Sequence, residues 1–128
     1  MYGVSLVSAI FLLVVLSLLA AAGVRMMVLQ QQTTTMELRS TQAFHAARTG
    51  LNWAAHRSLS ADWCSNQTLA LSEAGTQGFF VDVSCTRSTH VEGGTTISVY
   101  TIVALAQSGL YGGPDYVSRR MQAKVTNG

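Results

Sequence analysis

The side chains with the widest chemical reach in this 128-residue sequence are two cysteines, three histidines and six carboxylates. Cys64 and Cys85 have twenty residues between them, neither belongs to a C-x-x-C pair, and no second pair completes a zinc site. With an apolar opening segment able to export the rest of the chain, one disulfide is the preferred reading. It would close a loop of about twenty residues and contribute on the order of 3 kcal/mol. The alternative is a pair of buried thiols in a cytoplasmic protein. His45 and His56 are eleven positions apart, which on a helix returns them to nearly one side but roughly 17 Å apart along the axis, too far to share a metal. His90 stands alone in a polar loop. Asp82, Glu92 and Asp115 have no placed partner and read as strand-solubility and turn residues. The Gly-Gly-Pro-Asp run at 112–115 reads as an ordinary turn rather than a calcium-binding loop. Asn66-Gln67-Thr68 matches a glycosylation sequon, a pattern frequent by chance. No serine occupies a nucleophile motif and no glycine-rich phosphate loop comes after a strand. The residues therefore predict no catalytic group, no metal, no cofactor and no enzyme.

Composition agrees. The chain weighs 13.7 kDa, only 11% of it is charged and 48% is hydrophobic, and the two kinds of residue are unevenly spread. No Lys, Arg, Asp, Glu or His precedes Arg25. A net charge of +2, with no basic cluster beyond Arg119-Arg120, gives no footprint for specific nucleic acid binding. Taking away the apolar opening leaves roughly a hundred residues, too few for a roomy cleft with its supporting shell.

The elements that must position these residues are legible in order. Val4 to Val24 is a 21-residue apolar run holding three serines and one glycine. At 1.5 Å per residue it spans roughly 30 Å, a bilayer core. It exceeds the apolar part of an ordinary secretory signal, and no convincing cleavage site comes after it, although Ala20 to Gly23 could mimic one. A retained membrane helix is expected. Arg25 to Thr35 is polar but nearly uncharged, and its threonines are poor helix formers. Whether Gln30–Thr35 is helical, and whether residues 23–35 melt on assembly, stays open. From Met36 a helical period resumes: Met36, Ala43, Ala47, Leu51, Ala54 and Ala55 form a small, flat stripe with Phe44 and Gly50 beside it. The helix should end near Ser60-Ala61-Asp62. Val4 to Leu59 as one rod would measure about 80 Å.

The remainder reads as three strands. Gly78–Arg87 alternates with Phe79, Val81, Val83 and Cys85 on one face. Thr95–Ala106 is β-branched and comes after a Gly93-Gly94 turn. Tyr116–Val125 puts Val117, Met121, Ala123 and Val125 on one side, interrupted by Arg119, after a loop at Ser108–Asp115. The expected fold is α+β: a long N-terminal helix, half membrane and half amphipathic, packed on a small antiparallel sheet. The corresponding segments are 1–3, 4–24 (membrane helix), 25–59 (polar segment and amphipathic helix) and 60–128 (disulfide-stapled β headpiece).

The motif Gly3-Val4-Ser5-Leu6-Val7, running directly into the apolar segment, resembles the type IV pilin family, shared by pili and type II secretion pseudopilins. Within it, four segments resemble MshP-type minor pilins of the mannose-sensitive haemagglutinin (MSHA) pilus: SLVSAIFLLVVLSLLAA, QAFHAARTGLNWAAHRSL, VEGGTTISVYTIVALAQSG and PDYVSRRMQAKV. PilX- and K-type tip subunits are a looser likeness. The resemblance implies cleavage by a prepilin peptidase between Gly3 and Val4 and methylation of the new N-terminus, which would make 1–3 a leader remnant and 4–24 a filament-core helix. It also implies packing against other minor and major pilins through N-terminal helices. The chain would sit in the bacterial inner membrane with its headpiece periplasmic, and then pass into an extracellular pilus.

The sequence departs from the family at three places. Val4 stands where Phe or Met is usual. Ser8 occupies the fifth mature position, where most family members carry Glu to neutralise a neighbouring subunit's amine in the apolar filament core. Serine cannot form that pair, and a buried unpaired amine is costly; some tip subunits also lack the Glu, so Ser8 points to a tip or initiation position. Third, Met1-Tyr2 carries no basic residue, and Arg25, Arg39 and Arg48 taken alone would put the C-terminal part in the cytoplasm, against the cysteine pair. A translation start upstream, with a basic leader, resolves this. The expected role is therefore a structural minor pilin acting in filament initiation and supporting surface attachment. The alternatives are a tip adhesin-like subunit contacting sugar, surface or DNA through Trp53, Trp63, Tyr111 or Arg119-Arg120, for whose aromatics core packing is nonetheless the expectation; a type II secretion minor pseudopilin; and an unrelated bitopic envelope protein.

Overall fold

The computed structural model describes the backbone from Tyr2 to Asn127 and the side chains from Ser5 to Asn127. Helix α1 runs over Tyr2–Ala61, and after it come strands β1 (Gln67–Ala70), β2 (Phe80–Glu92), β3 (Thr95–Ser108) and β4 (Val117–Asn127). The expected α+β layout is what forms: one long N-terminal helix and a four-stranded antiparallel sheet in the order β1-β2-β3-β4. The chain divides into two compact units, Met1–Glu37 and Leu38–Gly128. That boundary falls inside the 25–59 segment drawn from sequence.

The first unit is helix alone. From Ser5 to Glu37 its side chains are exposed, Val15 alone being half-buried. The Gln-Thr stretch left open by the sequence is helical. The hydroxyls of Thr33, Thr34 and Thr35 donate to the carbonyls of Leu29, Gln30 and Gln31 at 2.9–3.0 Å. Ser17 does the same to Leu13 at 2.7 Å. A hydroxyl bonded to its own helix four residues back no longer offers the backbone a non-helical partner.

The second unit has a core of its own. Ala43, Ala46, Ala47, Gly50, Ala54 and Ser58 are the buried positions of α1, spaced by one to four residues along one face. Their small size lets the helix lie close on the sheet. A Cβ placed at Gly50 would come within 2.5 Å of Val81 Cγ1. The sheet answers with Phe79, Val81 and Val83 from the β2 side and Ser98, Tyr100, Ile102, Ala104 and Ala106 from β3. Two expectations are corrected. Met36 is 64% exposed and lies outside the stripe, because it precedes the part of α1 that meets the sheet. Ala46 and Ser58 belong to the stripe although the sequence pattern omitted them.

The three expected strands form with longer C-terminal ends, while β2 and β4 begin two and one residues later than expected. β2 and β3 pair along their whole length, from Phe80↔Gln107 to Glu92↔Thr95. Between them Gly93 (φ 58°) and Gly94 (φ 82°) make a two-residue turn with both residues in the left-handed region, the geometry that matches the strands' twist. β4 pairs with β3 from Ser108↔Val117 to Ser98↔Asn127, leaving Arg119 exposed on the face it interrupts. β1 was not expected. It is four residues long and pairs with Phe80–Val83.

Candidate functional site

Two features of the second unit and one of the first concentrate the chemistry. In the first unit, α1 presents a candidate membrane span by length and composition, with none of its apolar window buried inside the protein. Leu6, Phe11, Leu13, Leu18 and Leu19 are each about two-thirds exposed. Apolar surface on this scale is suited to lipid or to other apolar surfaces. Ser8 is exposed on it. The Gly3–Val4 junction lies outside the residues whose side chains are described.

The second feature closes the end of α1. Asp62, directly after the helix, has φ 52°, the left-handed cap conformation that Asp tolerates better than most side chains. Its carboxylate accepts from the Tyr100 hydroxyl and from Arg87 Nη1, the latter at 2.9 Å. The Tyr100 hydrogen bond, reinforced by the Arg87 charge, holds the Asp62 carboxyl below its ordinary range against the opposing effect of burial. The same hydrogen bond, with burial and the charge of Asp62, pushes the Tyr100 phenol up. Ser58, buried, donates to the Trp63 carbonyl at 2.9 Å. Trp53 and Trp63 meet edge to face at 5.2 Å, with the Arg57 guanidinium 5.1 Å from the Trp53 ring. Cys64 and Cys85 are joined with a Cα–Cα distance of 5.1 Å, so the segment leaving the helix is tied covalently to β2. This cluster anchors the end of α1 to the sheet.

The third feature is the β3–β4 loop. Leu110 is 85% and Tyr111 91% exposed, yet the loop that presents them is braced. Gly113 N–H donates to Leu110 C=O at 2.8 Å, Tyr116 N–H to Gly113 C=O at 3.3 Å, and Arg39 Nη1 to Asp115 C=O at 3.1 Å. The Tyr111 and Tyr116 rings meet edge to face at 5.4 Å. Gly109 (φ 86°) passes so near Asp115 that a Cβ there would lie 2.9 Å from its carbonyl oxygen. Next to it on the sheet's outer face, Tyr116 hydroxyl donates to Gln107, Gln107 to Asp82, and Thr68 to the other Asp82 oxygen.

The aromatic expectation divides accordingly. Trp53 and Trp63 are half-buried against the core, whereas Tyr111 is not packed in it at all. The reason is its place in a loop whose glycines hold it clear of the sheet. His45, His56 and His90 are all exposed, and His90 lies on β2 rather than in a loop, because β2 pairs with β3 as far as Glu92↔Thr95. Among the described residues no three of His, Cys, Asp and Glu converge on a site that could hold a metal. Asp62 is the anchoring residue that sequence reasoning passed over as a helix stop; an acidic residue at a helix end, with a cysteine two positions on, was the available signal. Comparison of the chain with protein-family models, curated proteins and solved structures gives no match.

Proposed function

We propose that this chain is a minor pilin of an MSHA-type type IV pilus, acting in filament initiation at the tip. The observation that carries the reading is the form of α1. Its first part is an unburied apolar span with no charge before Arg25, and its last part is the buried helix of a disulfide-stapled sheet. A single element thus serves lipid or neighbouring helices at one end and a folded headpiece at the other. In this reading the span rests in the inner membrane, the prepilin peptidase cuts between Gly3 and Val4, and the helix then packs among those of other minor and major pilins. Ser8, in place of a carboxylate, suits a subunit with no neighbour above it.

The deciding experiment is the intact mass of the protein recovered from cell envelopes. A chain beginning at N-methylated Val4 is expected. A chain beginning at Met1 or upstream leaves a bitopic envelope protein, and a start near Val24 means a cleaved signal; either result withdraws the pilin reading. Deleting the protein should lower the number of pili per cell. Unchanged piliation with lost adhesion would instead favour the second reading, a tip-binding subunit, to which the braced and exposed Leu110-Tyr111 pair lends support.

A further inference from the structure

The sheet has three stretches of unpaired edge, and they differ in how they are guarded. The β1 edge is four residues long. The β4 edge is longer but carries Arg119, Arg120 and Lys124 and no carboxylate, so two copies brought together there repel. The third stretch is the distal end of β2. β1 covers only Phe80–Val83, and the segment tied down by Cys64–Cys85 and Asp62–Arg87 lies beside the next few residues. Beyond Arg87, among the described residues, no strand pairs with β2 on that side, and Ser88–Glu92 are all exposed. Val91 is 72% exposed.

The hydrogen-bond phase of this edge is set by the other end of the strand. Leu71 N–H donates to Phe79 C=O at 3.0 Å, so the odd-numbered residues on this side direct their main-chain groups toward β1. Alternation along an antiparallel strand then puts the N–H and C=O of Thr89 and Val91 on the open edge. His90 and Glu92 hydrogen-bond to the β3 side and place their side chains together on the sheet's outer face.

We infer that this edge is a self-complementary docking strip for a second copy of the same chain. Antiparallel pairing about a two-fold axis at Val91 sets Val91 opposite the partner copy's Val91, with both N–H···O=C bonds exchanged. The same register sets each His90 opposite the other copy's Glu92, twice. These are non-hydrogen-bonded positions, where facing side chains approach most closely. The imidazole donates to the carboxylate whether it is neutral or protonated. The isologous operator is what makes one strip suffice: the residue that needs a partner and the residue that supplies it lie two positions apart on one strand. The pairing is independent of the pilin reading and uses none of the apolar span.

Cysteine cross-linking of the full chain in its membrane tests it. In the proposed register the two Val91 Cα atoms would lie about 5.5 Å apart, within disulfide reach. Val91→Cys should therefore give a dimer of twice the chain mass under mild oxidation, at least tenfold faster than Tyr111→Cys, which is at least as open but outside the strip. Adding His90→Glu should abolish the dimer by setting carboxylate against carboxylate, and adding His90→Glu with Glu92→His should restore it. Equal rates at Val91→Cys and Tyr111→Cys, a dimer indifferent to His90→Glu, or an adduct with a different protein would each overturn the inference. Processing at Val4 is read separately from the N-terminal mass, so the two ideas fail independently.

Discussion

Gly50→Ala isolates the contact on which the headpiece depends. The added Cβ would lie 2.5 Å from Val81 Cγ1, 3.3 Å from Val81 Cβ and 3.5 Å from Val83 Cγ2. Val81 is fully buried and β-branched, so turning its side chain brings another methyl into the same space. Recovering an ordinary carbon–carbon contact requires the helix to rise by about 1 Å, and a gap of that size forfeits roughly a quarter to a half of each lost contact's attraction. The loss is shared by Ala43, Ala46, Ala47, Ala54 and Ser58, because they lie on the same face. Alanine returns about 1 kcal/mol of helix propensity, while overpacking typically costs about 1–3 kcal/mol, so the loosened neighbours decide the sign. We expect a net loss of about 1–2 kcal/mol and a fall in Tm of roughly 5–10 °C. Fluorescence of the Trp53–Trp63 pair during thermal unfolding of the full chain in detergent is the assay. Repeating it in a Val81→Ala background should recover at least about 1 kcal/mol of the Gly50→Ala cost as coupling. Gly23→Ala, where a Cβ meets nothing within 4 Å, should cost nothing. A Gly50→Ala protein that melts at or above the wild type, or whose cost is the same with Val81→Ala, would refute the close-packing argument.

Reduction of the Cys64–Cys85 bond, or its replacement by a pair of serines, should remove about 3 kcal/mol and lower Tm by more than about 10 °C; parallel melts with and without reductant measure it. The depressed Asp62 carboxyl contributes stability that is complete above the unfolded carboxyl's range and is lost as pH falls through the folded value. The raised Tyr100 phenol contributes stability that is complete below the unfolded phenol's range and is lost as pH rises through the folded value. Asp62→Asn should therefore flatten the acid limb of a stability–pH profile and reduce the alkaline one; a profile superimposable on the wild type's would contradict the network. Gly109→Ala, forced to φ near 86° with its Cβ against the Asp115 carbonyl, should cost about 1–3 kcal/mol and loosen the Tyr111–Tyr116 ring contact; the chemical shifts of the two rings measure it.

The architecture was legible because its two periods are strong and local. Alternation at Phe79, Val81 and Val83 assigns the buried face of β2, and an alanine stripe assigns the buried face of α1. What escaped was decided by contacts that no local period carries. β1 has four residues and one half-buried side chain, Leu69, so it is a strand only because Phe80–Val83 offers it an edge. Met36 fits the helical spacing as well as Ala43 does; only the position of the sheet separates them. Asp62 is legible as a stop, but its partners Arg87 and Tyr100 are 25 and 38 residues away, and pairing at that distance is set by the register of β2 against β3. For the candidate sites the same division holds. The apolar span and the cysteines announce themselves by type, whereas the braced presentation of Tyr111 depends on Arg39, 76 residues from the carbonyl it holds.

The two compact units separate what must be stable alone from what must not. The Leu38–Gly128 unit closes its own core, caps its helix end through Asp62 and ties that end to the sheet with Cys64–Cys85. From Ser5 to Glu37 the first unit buries almost nothing, and the hydroxyls of Ser17, Thr33, Thr34 and Thr35 are returned to their own backbone. A helix with satisfied polar groups and an unburied apolar surface can exchange one apolar environment for another without breaking internal bonds. A headpiece with its own core is undisturbed by that exchange. Under the proposed reading, moving from lipid to a bundle of like helices would then be a change of partner at one unit only.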